Sequence, residues 1–171
     1  MNEALSERKQ RFEERVLPHL DAAFNLARWL TRNDHDAEDV AQEACLRAMR
    51  FFDGFRGGPI RPWLLTIVRN TYLTWLQKSK IKEMAPLEHD VESNAASPEE
   101  LLIERVDGQT LRKALDALPA EYREVIVLRE LEELSYKEIA DIAGIPIGTV
   151  MSRLARARRR LQESVVQGSG R

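Results

Sequence analysis

The stretch SYKEIADIAGIPIGTVMSRLARARRRLQ, residues 135–162, decides the architecture of this 171-residue chain. Ser135 followed three residues later by Glu138 is a capping box, so a helix starts just after Ser135. Tyr136, Ile139, Ala140 and Ile142 give that short helix one apolar face. It ends near Gly144, where glycine permits the left-handed backbone that turns one helix across the next. Pro146 then opens a longer helix, expected over residues 147–162. On a 100° wheel Val150, Leu154, Ala157 and Leu161 form a narrow apolar stripe that packs inward. Thr149, Arg153, Arg156 and Arg160 fall together on the opposite side, with Ser152 and Arg159 beside them. Two helices joined in this way form a helix-turn-helix, and the arginine face suits phosphates and guanine edges in a major groove. A merely solvated basic helix accounts for the arginines alone. It leaves the turn chemistry, the short preceding helix and the lack of any acid between Asp141 and Glu163 as coincidences.

Outward from that stretch the chain reads as helical throughout. It is 43% hydrophobic and 32% charged, which places it among folded rather than disordered chains. Residues 11–30 read as one helix, with Phe12, Val16, Leu20, Phe24 and Ala27 at core spacing and a kink at Pro18. A polar turn over 31–35 leads to Asp36, an N-cap with Asp39 three residues on, and a helix reaching about Phe52. The glycines of 53–59 mark a loop, and Pro62 suits the first turn of a helix running to about Ser79. Prolines, serines and acids over 81–98 read as a flexible acidic linker. Ser97 with Glu100 caps a helix from about Glu99 past Gly108 to Leu118, and Pro119 opens another reaching about Glu133. The expected fold is all-α: one small helical domain over 8–80, the linker over 81–98, and a second over 99–165. No internal repeat is visible.

The formal net charge of −2 conceals an uneven distribution. Between Asp53 and Glu83 there is no acid, and Arg56, Arg61, Arg69, Lys78 and Lys80 lie there. The arginine helix is a second basic island. From Glu83 to Asp107 there are eight acids and one arginine, so two cationic surfaces flank an anionic tether. That pattern suggests two nucleic-acid contacts joined by a linker. Cys45 is the only cysteine, which excludes an internal disulfide and a cysteine-based metal cluster. The charged N-terminus lacks the apolar core of a signal peptide, and no apolar run approaches the roughly 20 residues needed to span a bilayer, so a reducing cytoplasm is expected.

The candidate contacts in the first half are less sharply drawn. On the wheel of the helix after Asp36, Val40, Ala41, Ala44, Cys45, Ala48, Phe51 and Phe52 share a core arc. The other arc carries Asp39, Gln42, Glu43 and Arg50 together with Leu46 and Met49, a modest signal for a protein-binding face. The next stretch interleaves rings and cations: Phe55, Arg56, Arg61, Trp63, Arg69, Tyr72, Trp75 and Lys78. Single-stranded nucleic acid is bound in this way, bases stacking on rings while cations follow the backbone. Trp63, Ile67 and Trp75 also lie on a wide apolar arc that suits a core, whereas Thr66, Arg69, Asn70 and Gln77 occupy the narrow polar side. The glycine-rich loop is compatible with an extruded base and equally with a plain turn. No catalytic set and no metal site emerge. His35 sits among Asp34, Asp36, Glu38 and Asp39, but consecutive residues at a helix start cannot converge on one ion, and acids there are favoured by the helix dipole. No cofactor is expected.

Several blocks taken together resemble a known family. Asp36-Ala-Glu-Asp-Val-Ala-Gln-Glu-Ala-Cys-Leu-Arg-Ala, Phe55-Arg-Gly and Trp63-Leu-Leu-Thr-Ile-Val-Arg-Asn resemble region 2 of the extracytoplasmic-function sigma factors. Leu118-Pro-Ala-Glu-Tyr-Arg-Glu-Val, Leu134-Ser-Tyr-Lys-Glu-Ile-Ala and Ile147-Gly-Thr-Val-Met-Ser-Arg-Leu-Ala-Arg-Ala-Arg resemble their region 4. The resemblance implies a non-enzymatic factor that binds bacterial RNA polymerase core and directs promoter-specific initiation in a stress or envelope response. By position, Asp39, Gln42 and Glu43, with Leu46 and Met49 on the same face, match residues that grip the clamp helices of the largest polymerase subunit. Phe55, Arg56, Gly57, Arg61, Trp63, Thr66, Arg69 and Asn70 fall in the part that captures a flipped base of the minus-ten element. Thr149, Ser152, Arg153, Arg156, Arg159 and Arg160 fall in the reader of the minus-thirty-five element, Ser152, Arg153 and Arg156 foremost. The partners implied are core polymerase, promoter DNA and an anti-sigma factor. Met151 departs from the family, which often has a basic residue there, and the end of the region 2 helix, Gln77-Lys-Ser-Lys, is poor in arginine. The chain stops soon after region 4, so no further C-terminal domain is expected. The rival reading is a helix-turn-helix regulator that acts without being a polymerase subunit.

Overall fold

The computed structural model describes residues 1–83 and 106–169, and the regular elements among them are all helical. They fall into two compact units. Most of the expected linker lies outside the described residues, as do the Ser97–Glu100 cap and the start of the helix after it.

In the first unit α1 spans Asn2–Val16, a 3-10 turn Leu17–His19, α2 Leu20–Thr31, α3 Asp34–Phe51, a second 3-10 turn Phe52–Gly54, and α4 Ile60–Glu83. The single helix expected over 11–30 is therefore two. Pro18 has no N–H to donate, so the chain tightens into a 3-10 turn there and restarts as α2. Helix α1 also begins far earlier than the apolar spacing suggested, and α4 runs on to Glu83, so residues 81–83 are helix and not linker.

Between α2 and α3, Arg32 takes the left-handed conformation (φ 59°) and its N–H bonds Arg28 O at 2.8 Å. The cap of α3 is Asn33, not the expected Asp36: Asp36 N donates to Asn33 Oδ1 at 3.0 Å. Asp36 lies inside the first turn, where its charge still favours the helix dipole. Helices α2, α3 and α4 pack on one another around Ala23, Leu26, Ala27, Leu30, Ala37, Val40, Ala44, Ala48, Leu64, Leu65 and Val68, all buried. The alanines let helix axes approach closely. Leu20 and Phe24, placed in the core by spacing, are only half-buried, because Ala23 and Leu26 face inward instead.

In the second unit α5 spans Val106–Ala117, α6 Ala120–Ile126, α7 Tyr136–Ala143 and α8 Ile147–Ser169. Helix α6 widens into a π turn over Val127–Leu131, and the chain then reverses through Glu133 at φ 55°, short of a regular helix to Glu133. Arg123, 3% exposed, donates to Leu118 O at 2.8 Å and Asp116 O at 3.3 Å. Carbonyls at the end of α5 would otherwise lack intrahelical donors. The capping box of α7 is complete: Glu138 N donates to Ser135 Oγ at 3.1 Å, and Ser135 N to Glu138 Oε1 at 3.0 Å. Gly144 takes φ 67° at the turn into α8.

Ser135→Ala removes one arm of this box. The expected result is a loss of about 1 kcal/mol in the unfolding transition of the second unit, read by urea titration. An unchanged midpoint would show that the box is dispensable.

Candidate nucleic-acid and protein interfaces

Helix α8 seats itself through Val150, Leu154 and Ala157, which are at most 1% exposed. Leu161, the fourth member of the expected stripe, is half-buried. The outward residues separate into two groups. Ser152, Arg156 and Arg159 are exposed, and the Ser152 hydroxyl donates to Thr149 O at 3.2 Å. Three other arginines engage the element beneath. Arg153 Nη2 lies 3.6 Å from Glu121 Oε2. The Arg160 guanidinium lies 5.0 Å from the centre of the Tyr122 ring. Arg158 donates Nη2 and Nε to Glu130 Oε1, at 2.7 and 3.2 Å. The bond to Glu130 raises the pKa of Arg158 above an already high ordinary value. A helical wheel of α8 cannot show these pairs, since Glu130 lies 28 residues away in sequence.

On α3 the wheel is realised. Asp39, Gln42, Glu43, Leu46 and Met49 all lie exposed along one side, Leu46 at 57% and Met49 at 44%. Glu43 accepts from Arg47 Nε at 3.3 Å. Beside this face a groove of about 190 Å³ is lined by Asp39, Glu43, Arg47, Thr74, Trp75 and Lys78. Phe51 departs from the expectation: assigned to the core arc, it is 55% exposed. The helix ends at that residue, and Phe52 turns in instead, edge-on to Phe12 at 5.5 Å between ring centres.

The loop between α3 and α4 carries Gly57 and Gly58 at φ 94° and 86°, a region that residues with a side chain rarely enter. A Cβ at either glycine would meet nothing within 4 Å, so the requirement is one of backbone and not of space. Arg56 is exposed, and Phe55 and Trp63 are half-buried with ring centres 5.2 Å apart. Trp63 also meets Phe52 at 6.4 Å, which makes it part of an aromatic cluster and not a free stacking platform. On α4 the Thr66 hydroxyl donates back to Pro62 O at 2.8 Å, Arg61 and Arg69 are half-buried, and Asn70 is exposed. Tyr72 and Trp75 stack on each other at 6.1 Å. The buried positions of α4 are Ile60, Leu64, Leu65, Val68 and Thr71, so Trp63, Ile67 and Trp75 form the half-buried flanks of the arc assigned to them. Among the described residues there is no cluster of metal-binding side chains and no helix long and apolar enough to cross a membrane. Cys45 is partly buried, which pushes its thiol pKa up.

The family Sigma-70 region 2 matches residues 16–81, and Sigma-70, region 4 matches residues 108–161. Among curated relatives, the ECF RNA polymerase sigma factor SigE of Mycolicibacterium smegmatis is 35% identical over 92% of this chain. The chain spans 63% of that relative's length. The ECF RNA polymerase sigma-E factor of Escherichia coli K12 is 36% identical over 76% of this chain and 74% of its own length. Among solved structures, a chain of the co-crystal of the sigma factor RpoE with the anti-sigma factor NepR from Bartonella quintana superimposes with a TM-score of 0.78. The two are 32% identical, with 91% of this chain and 97% of that one covered. A chain of the complex of CnrH with the cytosolic domain of CnrY shares the fold at a TM-score of 0.62 and 24% identity, over 95% and 92% of the two chains.

The division among the arginines of α8 is open to measurement. Arg159→Ala is expected to lower the log–log salt slope of duplex binding by roughly 0.9, the loss of one phosphate contact. Arg158→Ala, whose charge already faces Glu130, should leave the slope within error. Fluorescence anisotropy across a salt series reads both, and equal effects would refute the division.

Proposed function

The chain belongs to the extracytoplasmic-function sigma factors of the sigma-70 family, and from that premise we propose how its surfaces divide the work of initiation. The exposed α3 face of Asp39, Gln42, Glu43, Leu46 and Met49 docks on the clamp helices of the largest subunit of RNA polymerase core. Its two apolar side chains amid acidic and amide groups are the anatomy of a protein contact, an apolar centre with a polar rim. Helix α8 reads the minus-thirty-five element through Ser152, Arg153 and Arg156, while Thr149, Arg159 and Arg160 hold phosphates. Arg153 exchanges Glu121 for DNA when it does so. That is a small cost, because partly exposed ion pairs are worth about 0–1 kcal/mol.

The loop from Phe55 to Arg61, with Trp63, Thr66, Arg69 and Asn70 of α4, receives the opened minus-ten strand. Since Trp63 is held by Phe52 and Phe55, the rings there serve better as a wall for an extruded base than as separate stacking platforms. The acidic linker between α4 and α5 follows the RNA path inside the polymerase, its charge standing in for that of a nucleic acid. Bond making stays with the polymerase, so the chain itself is not an enzyme, and it works in the cytoplasm. An anti-sigma factor is its expected repressor; the RpoE of Bartonella quintana is crystallised with one.

One observation carries the reading. The α3 stripe is exposed in the same chain as a complete helix-turn-helix with exposed arginines, and a regulator acting alone has no use for it. Purified core polymerase, this protein and a genomic promoter pool should give discrete run-off products, and a blank gel with active core would sink the proposal. Gln42→Ala combined with Glu43→Ala should weaken core binding roughly 30-fold or more in a titration with labelled protein. Duplex binding by the same full-length variant should be unchanged, and core binding at wild-type affinity would remove α3 from the interface.

A further inference from the structure

Helix α1 lies almost entirely outside the matched Sigma-70 region 2 segment, which begins at residue 16. Most of its surface is exposed, yet one stripe of it is fully engaged. Arg8, Phe12 and Arg15 recur at intervals of four and three residues, one side of a helix. All three reach the start of the glycine loop. Arg8 Nη2 donates to Met49 O at 2.9 Å, in the last turn of α3, and Arg8 Nε sits 2.9 Å from Asp53 Oδ2. Phe12 meets Phe52 edge-on, and the Arg15 guanidinium lies 5.1 Å from the centre of the Phe55 ring. Phe55 in turn leans on Trp63.

We propose that α1 is a brace for the strand-capturing loop, with Arg8 and Arg15 as positioning residues for promoter opening. This rests on the reading of the loop given under Proposed function. The loop needs a fixed entry because Gly57 and Gly58 hold its tip in a conformation that glycine adopts without rigidity. Arg8 and Arg15 set the position and tilt of the residues immediately before it, and Phe12 seals the joint. Arg8 does a second thing. Asp53 is the last acid before a run of cations that continues to Glu83, and its carboxylate would repel a strand arriving at Arg56. Pairing with Arg8 offsets that charge. Side-chain exposures of 37% for Arg8 and 67% for Asp53 rule out much contribution to stability. What the pair supplies is position and local potential.

The test uses holoenzyme assembled from core polymerase and the full chain, on a promoter selected from the genomic pool by the wild-type protein. Arg8→Ala combined with Arg15→Ala is expected to lower the open-complex fraction on duplex promoter about tenfold, two partly exposed contacts being lost together. Permanganate reactivity of unpaired thymines reads this. On the same promoter with the minus-ten region already unpaired, the loss should be less than about twofold. Core affinity should not change, and a double variant carrying Arg15→Lys in place of Arg15→Ala, which keeps a cation over Phe55, should recover part of the activity. Equal losses on duplex and unpaired templates would reduce α1 to general scaffold and overturn the brace, as would wild-type melting by the double variant. If the wild-type holoenzyme opens no promoter at all, the sigma reading falls and the brace with it. Amide exchange of residues 55–58 in the free protein adds an independent measure, with faster exchange in the double variant expected and unchanged exchange counting against the proposal.

Discussion

Both working helices are held by stripes so narrow that most of their circumference stays uncovered. Helix α3 buries Ala37, Val40, Ala44 and Ala48, and α8 buries Val150, Leu154 and Ala157. These are short side chains, apart from one leucine. Short side chains let neighbouring helices approach closely, so dense packing is achieved with little of the surface consumed. The surfaces proposed for docking on α3 and for DNA on α8 follow from that economy. A wider apolar arc on α3 would have taken Leu46 and Met49 inward, and a wider one on α8 would have taken the positions now held by Ser152 and Arg156.

Holding a helix by a thin seam leaves its rotation weakly determined, and each unit shows how polar contacts complete the job. On α8 the cations Arg153, Arg158 and Arg160 grip Glu121, Glu130 and Tyr122, all on or just after α6. Each grip is modest, since partly exposed ion pairs contribute about 0–1 kcal/mol and an exposed cation over a ring about 0.5–1 kcal/mol. In the free protein their effect is directional: they fix which side of α8 faces outward. At the start of α7 the capping box and at its end Gly144 do the same for the angle between the two helices. In the first unit the corresponding work falls to α1, whose Arg8 and Arg15 hold the exit from α3.

The resulting distribution of charge has a physical logic. Arg158, tied to Glu130, presents little net field, while Arg156 and Arg159 project theirs outward. A long run of identical cations is thereby converted into a few addressed ones. Sorting of this kind favours specific docking over indiscriminate attraction to any polyanion, because unpaired positive surface binds all nucleic acid in proportion to the phosphates it neutralises.

Local rules were enough to read from the sequence whatever depends on neighbours a few residues apart. The all-helical class, the Ser135–Glu138 box, the turn at Gly144, the inward stripe of α8 and the exposed α3 face with Leu46 and Met49 were all legible there. What failed was whatever depends on competition between nearby alternatives or on residues far apart. Asn33 displaced Asp36 as the cap because its side chain accepts from the N–H of Asp36, the third residue of the helix, at 3.0 Å. Pro18 split a helix that apolar spacing had joined, and Phe51 faced out once α3 ended and Phe52 found Phe12. The pairing of Arg158 with Glu130, of Arg8 with Asp53 and of Arg15 with Phe55 spans 28, 45 and 40 residues respectively. No periodicity encodes such pairs. Sequence alone determined that cations line α8 and that a glycine loop follows α3. Only the tertiary structure decided which cations remain available and what holds the loop, because both are settled by which helix packs beside which.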